Sequence, residues 1–386
     1  MAQTKTDYGL IYNDDGSICT TVRPDQTPFP GVNSFAVEAA TTNYVDVYNY
    51  STRIERGDMA IEQITYRSQK ALKVTVSGTN PYVKLGFNTT QTVAAGDIYT
   101  GSVYAESNEV KITNTMEEDC CIYFTTSFFG GFARGYHTWT MNNNRLITIL
   151  KFPNDEGSYS NFKMCVFFFQ PGVYYVYNPQ LEKKPFASSF VVGSRPNGRL
   201  VISVEDLKFD IANDDWVISF WKYPVATHDN TQNGYDGCSL GKWTSDRSLG
   251  NIYWGKENNS NVFILRVALS DSTIQQVFSS SFDPNWYFRN WHYEVVKKSG
   301  KVLSYYVDGV KQIEYTIPAN KELQTPFDVG LSLGGFTDNN IFYPNNALIA
   351  NVGNGKLKPG EFTDEHIMAI YEANRAFAQK GGVKIY

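Results

Sequence analysis

Aromatic side chains in polar stretches are the residues of this sequence best suited to bind a ligand. An exposed Trp or Tyr ring can stack on the flat C–H face of a sugar, while Asn, Asp and Gln side chains hydrogen-bond to the hydroxyls. The alternative for each ring is a place in the hydrophobic core, where most of the aromatic residues must lie. The predicted saccharide contacts are Tyr136, His137, Trp139, Trp243, Tyr253, Trp254 and Trp286.

The sequence offers little for catalysis. Glycoside hydrolysis needs two carboxylates about 5–9 Å apart, and the closest pattern is Glu117-Glu118-Asp119. This run lacks the third acid of the E-x-D-x-x-E motif of sandwich glycosidases, and runs of acids usually lie in solvated loops. Neither a G-x-S-x-G nucleophile elbow nor a glycine-rich phosphate loop occurs, and His292 is expected to be structural. The sequence therefore predicts a protein that is not an enzyme.

Alternating apolar and polar residues predict strands as the elements that position these side chains. Leu72, Val74 and Val76 fall on one face of such a strand, and the same alternation occurs in Trp216–Trp221. Turn sequences such as Asp14-Asp15-Gly16 separate the runs, and the chain holds 26 Tyr and 25 Phe. The predicted fold class is all-β, with two tandem antiparallel β-sandwiches.

One segment near the C-terminus predicts a short helix instead. Thr363 is suited to be its N-cap, and Asp364 and Glu365 suit the positive end of the helix dipole. Apolar residues follow at helical spacing from Ile367, and Gly381-Gly382 ends the pattern. This amphipathic helix is expected to pack on the last sandwich.

Composition excludes several classes of protein. The chain has 386 residues, with 34 Lys and Arg against 39 Asp and Glu, which gives a net charge of −5. An apolar fraction of 42% is too high for a disordered chain, and no basic cluster indicates nucleic-acid binding. The sequence has no run of about 18 apolar residues, which is the length needed to span a membrane. The start lacks the apolar stretch of a secretory signal, so synthesis and assembly in the cytoplasm are expected.

The chain divides into three parts and a linker. Residues 1–34 contain Pro24, Pro28 and Pro30 without a sustained pattern, and they are predicted to be an extended anchoring arm. Residues 35–190 form the first strand-rich block, residues 191–199 the linker, and residues 200–386 the second block.

The end of the first block resembles a family of virion proteins. Residues 177–190 read YNPQLEKKPFASSF, and residues 194–200 read SRPNGRL. Together they are similar to the passage that closes carbohydrate-binding-module-like jelly rolls in tailed-bacteriophage virion proteins and leads into a second sandwich. The resemblance implies a jelly roll over 35–190.

The second block resembles the laminin-G/concanavalin-A-like lectin sandwich. The similar passages follow the family's order through most of the block and end at the C-terminal helix. They are Trp216–Trp221, Asn290–Val296, Tyr305–Val310, Leu331–Gly335 and Phe362–Ile367.

Metal binding is a minor alternative. Laminin-G-like domains often hold calcium on loops, and Asn213-Asp214-Asp215 and Thr337-Asp338-Asn339-Asn340 carry suitable oxygens. Neither forms a D-x-D-x-D-G loop, so ordinary Asx turns are the expectation. The cysteines lack C-x-x-C spacing and are expected to be buried thiols, without a disulfide or zinc. No cofactor is therefore expected, with calcium as the alternative. The cysteines are Cys19, Cys120, Cys121, Cys165 and Cys238.

The resemblance implies a structural protein on the outer surface of a tailed-phage virion, on the tail, baseplate or fibre or as a head fibre or decoration. It is expected to contact other virion proteins through the arm, to form a homo-oligomer, with a trimer as the first guess, and to bind host-surface glycan. Neither nucleic acid nor an inserted membrane is an expected partner. Two alternatives stay open: a glycan-degrading depolymerase, and an assembly protein that binds no glycan.

Overall fold

The computed structural model describes residues 10–13, 22–23, 34–37, 41–67, 69–89, 91–110, 112, 120–125, 136–142, 145–152, 162–184, 194–195, 198–225, 235–288, 290–338 and 341–380. The strands in these ranges are β1 (Leu10–Asn13), β2 (Val22–Arg23), β3 (Ser34–Val37), β4 (Thr41–Thr42), β5 (Tyr50–Tyr66), β6 (Gln69–Asn88), β7 (Ile98–Glu106), β8 (Cys120–Thr125), β9 (Tyr136–Asn142), β10 (Arg145–Lys151), β11 (Lys163–Phe168), β12 (Gly172–Glu182), β13 (Ser194–Arg195), β14 (Gly198–Ile202), β15 (Trp216–Pro224), β16 (Asp236–Gly241), β17 (Asn251–Lys256), β18 (Val262–Ala268), β19 (Ile274–Ser281), β20 (His292–Ser299), β21 (Val302–Val307), β22 (Val310–Thr316), β23 (Leu331–Leu333), β24 (Gly335–Asp338), β25 (Ile341–Pro344) and β26 (Ala347–Lys356). The helices are α1 (Pro284–Tyr287) and α2 (Asp364–Lys380).

Residues 41–195 form one compact unit, the first sandwich. Its strands are hydrogen-bonded antiparallel in the order β8-β11-β6-β12-β7-β10-β9, with β5 beside β6. The first half of β6 pairs with β12 and the second half with β11. Buried side chains from both halves, such as Val74 and Leu85, belong to one core cluster. The long β5–β6 hairpin therefore contributes to both layers of the sandwich.

Two glycines lie in contact within the two strands of this hairpin. Gly57 and Gly78 have φ angles of +86° and +99°, a backbone region that residues with a Cβ rarely adopt. A Cβ at Gly57 would lie 2.6 Å from the carbonyl oxygen of Ser77, and one at Gly78 would lie 2.9 Å from the Cα of Gly57. The backbones of the two strands are thus in direct contact at these glycines, next to the register shift between Arg56 and Asp58.

In the described residues, the second sandwich has two seven-stranded antiparallel sheets and a separate β24–β25 hairpin. The first sheet has the order β1-β14-β23-β16-β17-β18-β19, and the second has the order β2-β3-β26-β15-β20-β21-β22. Fully buried Trp216, Trp254 and Phe263 belong to the core cluster of this unit. Helix α2 buries Ile367 and Tyr371 in a separate cluster with residues of the second sheet. The predicted all-β fold with antiparallel sandwiches is confirmed.

The predicted helix is present, and a second one was not foreseen. Helix α2 begins after Thr363, whose side-chain oxygen accepts a hydrogen bond of 3.3 Å from the backbone N–H of His366. Helix α1 is a single turn capped by Asp283, which accepts from the N–H of Asn285. Four residues are too few to display a helical period, which explains why α1 was missed.

The described strands of the N-terminal segment, residues 10–13, 22–23 and 34–37, pair within the second sandwich rather than forming a separate arm over 1–34. The second compact unit comprises residues 1–40 together with 196–386. Strand β1 pairs with β14, and β3 pairs with β26, so the first sandwich is inserted in sequence between strands of the second. Strands of two to four residues held by backbone hydrogen bonds carry no readable alternation, so sequence patterns miss them. The predicted linker is also divided, because β13 pairs with β4 while β14 joins the second sandwich.

Cys165 and Cys238 are buried free thiols, as expected for them. Burial raises the pKa of each thiol to about 12. Within the described ranges, no helix is long and apolar enough to cross a membrane.

Candidate functional site

An aromatic pocket lies on the outer face of the first sheet of the second sandwich. It has a volume of about 330 Å³ and polar as well as apolar lining atoms. Strands β17 and β18 form its floor, and strands β24 and β25 and the residues after β16 complete it. The lining residues are Tyr235, Trp243, Asn251, Tyr253, Arg266, Phe336, Thr337, Asp338 and Tyr343.

The strand register explains why these side chains share one face. Tyr253 of β17 pairs with Arg266 of β18, so both project to the same side of the sheet. Their sequence neighbours Trp254 and Leu265 project to the other side and belong to the core. Alternation thus places one large aromatic ring in the core and the adjacent one in the pocket.

A glycine makes room for the ring of Tyr253. A Cβ at Gly237 would lie 2.4 Å from Cζ of Tyr253 and 2.3 Å from the carbonyl oxygen of Trp254. The phenol therefore lies directly over the backbone of β16. Burial raises the pKa of Tyr253 well above its ordinary value, and its hydroxyl donates to the carbonyl of Lys256 at 3.2 Å.

The β24–β25 hairpin forms the pocket wall. The rings of Phe336 and Tyr343 stack with centroids 5.2 Å apart and an interplanar angle of 21°. Phe336 also contacts the ring of Tyr253 edge-on at 5.4 Å. The backbone N–H of Trp243 donates to the carbonyl of Thr337 at 2.9 Å, which joins the segment after β16 to the hairpin.

Arg266 provides the positive charge of the pocket. Its guanidinium carbon lies 5.0 Å from the ring centroid of Trp243, 5.5 Å from that of Tyr235 and 5.8 Å from that of Tyr253. One Nη donates to the Tyr235 hydroxyl at 3.2 Å. The buried Nε has no hydrogen-bond partner. Among the described residues, no carboxylate forms an ion pair with Arg266. Aromatic faces stabilise the cation, but they leave its N–H donors unfilled.

Asn251 adds an unfilled acceptor. It is only 3% exposed, and its buried Oδ1 accepts no hydrogen bond. Buried polar atoms are normally paired, so unpaired ones in a pocket are places where a ligand can bind. The pocket thus offers aromatic surface, a donor and an acceptor, which suits a polar ring with hydroxyl groups.

The structure brings together two of the predicted saccharide contacts, Trp243 and Tyr253. Trp254 is fully buried in the core, so its prediction as a contact is wrong, because alternation turns it away from the pocket. Trp286 lies outside this pocket, with its ring 4.6 Å from that of the fully buried His292.

The remaining predicted contacts lie on a strand rather than in a loop. Tyr136, His137 and Trp139 belong to β9, which pairs with β10 at one edge of the first sandwich. Their side chains are outside the described part of the structure, so their role as saccharide contacts stays a prediction. The acidic run Glu117-Glu118-Asp119 also lies outside the described residues.

Sequence reasoning missed most of the pocket. Arg266 is the one charged residue of β18. A lone Arg within an apolar strand is a sequence feature that could have indicated this site. Phe336 and Tyr343 meet only because a hairpin brings them together, and no spacing rule predicts that contact.

A second aromatic surface lies in the first sandwich, and it differs in its charge. At its centre, Glu106 accepts from the hydroxyls of Tyr66 and Tyr177 and pairs with Arg67 at 2.9 Å. The carboxylate is therefore already surrounded by donors from the protein. We call this surface the tyrosine ladder, and its rings are Tyr66, Tyr104, Tyr175 and Tyr177.

Two acids approach each other in the core rather than in a pocket. Lys222 Nζ lies 2.7 Å from Asp236 Oδ1 and 3.6 Å from Glu294 Oε1, and all three residues are fully buried. Burial raises the pKa of Glu294, and the charge of Lys222 offsets this only in part. Burial alone would lower the pKa of Lys222, but the two carboxylates outweigh it and raise that pKa. With no access for a substrate, this cluster has a structural role.

Two carboxylates of the first predicted calcium loop already have partners within the protein. Asp214 pairs with Lys356 at 2.5 Å, and Asp215 accepts from the N–H of Gly300 at 2.6 Å. In the second loop, Asp338 lines the aromatic pocket, while Asn339 and Asn340 lie outside the described residues. No group of three or more His, Cys, Asp or Glu side chains in the described ranges could hold a metal ion. Calcium binding stays a prediction.

Comparisons with known proteins give partial similarities only. No protein-family model matches the sequence, and no curated protein matches it. The CBM40 domain of the IT-sialidase from Ruminococcus gnavus, bound to α2,3 sialyllactose, is 14% identical, with a TM-score of 0.32 over 42% of this chain and 84% of that chain. Domain 4 of AbnA, a GH43 extracellular arabinanase from Geobacillus stearothermophilus, in complex with arabinotriose, is 12% identical, with a TM-score of 0.28 over 45% of this chain and 73% of that chain. A heptameric SAP-like pentraxin from Limulus polyphemus is 10% identical, with a TM-score of 0.27 over 41% of this chain and 70% of that chain. At these scores the similarities assign the chain to no family.

Proposed function

We propose that this protein is a non-enzymatic saccharide-binding protein and that the aromatic pocket of the second sandwich is its binding site. The observation that carries the proposal is the unfilled donor of Arg266 and the unfilled acceptor of Asn251 within one aromatic pocket. Sugars present flat C–H faces to aromatic rings and hydroxyls that both donate and accept, so they match this combination.

The proposal extends to a place on a virion. The similarity of residues 177–200 to phage virion proteins supports a component of the outer surface, on the tail, baseplate or fibre or on the head. Contacts to other virion proteins through residues 1–34, and assembly into a homo-oligomer such as a trimer, belong to the same proposal. Repetition over several copies would convert weak individual sugar contacts into useful avidity on a host surface.

A glycan array with the full-length protein tests saccharide binding. We expect bacterial surface glycans to be bound, and Tyr343→Ala to reduce binding at least ten-fold because it removes a stacking ring from the pocket wall. The matched control is Phe278→Ala, because Phe278 is 50% exposed on β19 and does not line the pocket. No binding, or equal loss in both variants, would favour the assembly protein that binds no glycan.

The enzyme alternative has its own test. The pocket lining contains one carboxylate among the described residues, Asp338, whereas glycoside hydrolysis uses two. We therefore expect no release of reducing sugar from host envelope or capsule. Release that Asp338→Asn abolishes would make the protein a depolymerase.

The location is tested on intact particles. Electron microscopy of phage labelled with an antibody against this protein should place it on the outer surface. A protein found free in the lysate and absent from particles would contradict the virion part of the proposal and leave saccharide binding intact.

A further inference from the structure

We infer that the pocket selects acidic sugars, with the sugar carboxylate bound by Arg266. The inference rests on the proposed saccharide-binding function and names the class of sugar. It is carried by the environment of the Arg266 side chain, a cation among aromatic rings with unfilled donors.

The guanidinium of Arg266 has five N–H donors in a planar fork, and the protein fills few of them. One Nη donates to Tyr235, the buried Nε has no partner, and no ion pair is formed within the described ranges. A carboxylate offers two oxygens at the spacing of this fork, and such charge-assisted pairs are about twice as strong as neutral hydrogen bonds. A neutral hydroxyl would fill one donor and leave the charge uncompensated.

The surroundings strengthen this preference for a charged ligand. Three aromatic rings lie within 5.8 Å of the guanidinium carbon, so few water molecules can approach the cation from those sides. In such a low-dielectric environment, opposite charges attract more strongly than on an open surface. The rings stabilise the cation when the pocket is empty, and a carboxylate adds the missing counter-charge when it is filled.

The other polar groups orient the sugar. Asn251 Oδ1 accepts hydrogen bonds only, so it must face a hydroxyl or N–H of the ligand. Asp338 lies in the same lining and repels a carboxylate placed beside it. The acidic group must therefore point to Arg266, while hydroxyls face the other side of the pocket. A sugar that carries one carboxylate and several hydroxyls satisfies both requirements.

The test compares each acidic glycan with its carboxyl-reduced counterpart, using the full-length protein. The probes are oligosaccharides that contain uronic or nonulosonic acids, and reduction converts each carboxylate to a neutral hydroxymethyl group. We expect the acidic forms to bind at least about ten-fold more tightly, since charge-assisted hydrogen bonds exceed neutral ones by that much. Equal or tighter binding of the reduced forms would overturn the inference, while the proposed saccharide binding would stand.

Substitutions in the pocket test which residues cause the preference for acidic glycans. Arg266→Gln should abolish the difference in affinity between the acidic and the reduced glycans. Thermal unfolding of this variant shows whether the protein still folds. Asn251→Asp is nearly isosteric and introduces a carboxylate, so it should weaken the binding of acidic glycans more than that of their reduced forms. An acidic preference that survives both substitutions would contradict the assignment. If neither form binds and neutral glycans also fail on the array, the proposed function itself is wrong.

Discussion

The tyrosine ladder of the first sandwich and the aromatic pocket of the second are built from similar side chains, but they treat charge in opposite ways. In the ladder, the central Glu106 accepts from two phenols and pairs with Arg67. In the pocket, the central Arg266 fills one donor, and its Nε has no partner. A charge that the protein already satisfies stabilises the fold, whereas a charge left open is available to a ligand.

The buried cluster of the second sandwich extends this comparison to the core. Lys222 is enclosed with Asp236 and Glu294, and none of the three side chains reaches solvent. As in the ladder, each carboxylate has a counter-charge within the protein, although Oδ2 of Asp236 and Oε2 of Glu294 accept no hydrogen bond. Burial and pairing, rather than the presence of charged residues, therefore distinguish structural from functional charges in this molecule.

Lys222→Met should have the largest effect. The substitution leaves two buried carboxylates without a counter-charge, and breaking such a pair costs about 3–5 kcal/mol. Chemical denaturation of the full-length protein measures the change. A loss below about 1 kcal/mol would show that the cluster is not the enclosed ion pair described above.

Gly237→Ala should affect both stability and binding. The new Cβ would lie 2.4 Å from the Tyr253 ring and closer still to the backbone of β17, so the ring and the strands must move. Overpacking of this kind costs about 1–3 kcal/mol. We expect weaker glycan binding at a temperature where the variant is still folded. Unchanged binding would mean that the Tyr253 ring does not contribute to the site.

A matched pair of variants compares the two charges directly. Glu106→Gln removes an ion pair and two charge-assisted hydrogen bonds, so it should destabilise the protein by about 1–2 kcal/mol without affecting glycan binding. Arg266→Gln should destabilise it less, because only one side-chain hydrogen bond is lost, and should weaken glycan binding. Calorimetry and the glycan array measure the two effects. The reverse result, with binding lost in the Glu106 variant, would place the site in the first sandwich.

The smallest expected effect is the pH dependence due to Glu294. Burial raises its pKa in the folded state, so the folded protein holds this proton more tightly than the unfolded chain does. Stability from this group is therefore greatest at low pH and falls as pH rises above about 4.5, the ordinary value, towards the raised one. Glu294→Gln should lack this decline when urea unfolding is compared between pH 4 and 8. Parallel curves for the two proteins would contradict the raised pKa.

Sequence patterns predicted the layers of the fold better than the site. Alternation such as Leu72, Val74 and Val76 reports burial on one face, and the structure places all three in the core of the first sandwich. The helix after Thr363 was readable from its cap and charges. Short pairing strands such as Leu10–Asn13 were not, because backbone hydrogen bonds leave no trace in residue type.

For a related reason, the sequence predicted only two of the aromatic residues that line the candidate site. Trp243 and Tyr253 were recognisable as aromatic residues in polar stretches of sequence. Trp254 has almost the same sequence neighbours as Tyr253, but its side chain lies in the core. Only the strand register decides which of two neighbouring rings faces outward. The roles of Arg266 and Asn251 depend on unpaired atoms, and pairing is a property of the folded structure.

A crystal structure of the full-length protein with a bound glycan from the array tests the central claim most directly. We expect a sugar ring in the pocket of the second sandwich, between the Trp243 and Tyr343 rings, with hydrogen bonds to Arg266 and Asn251. A glycan bound on the tyrosine ladder, with the pocket empty, would contradict it.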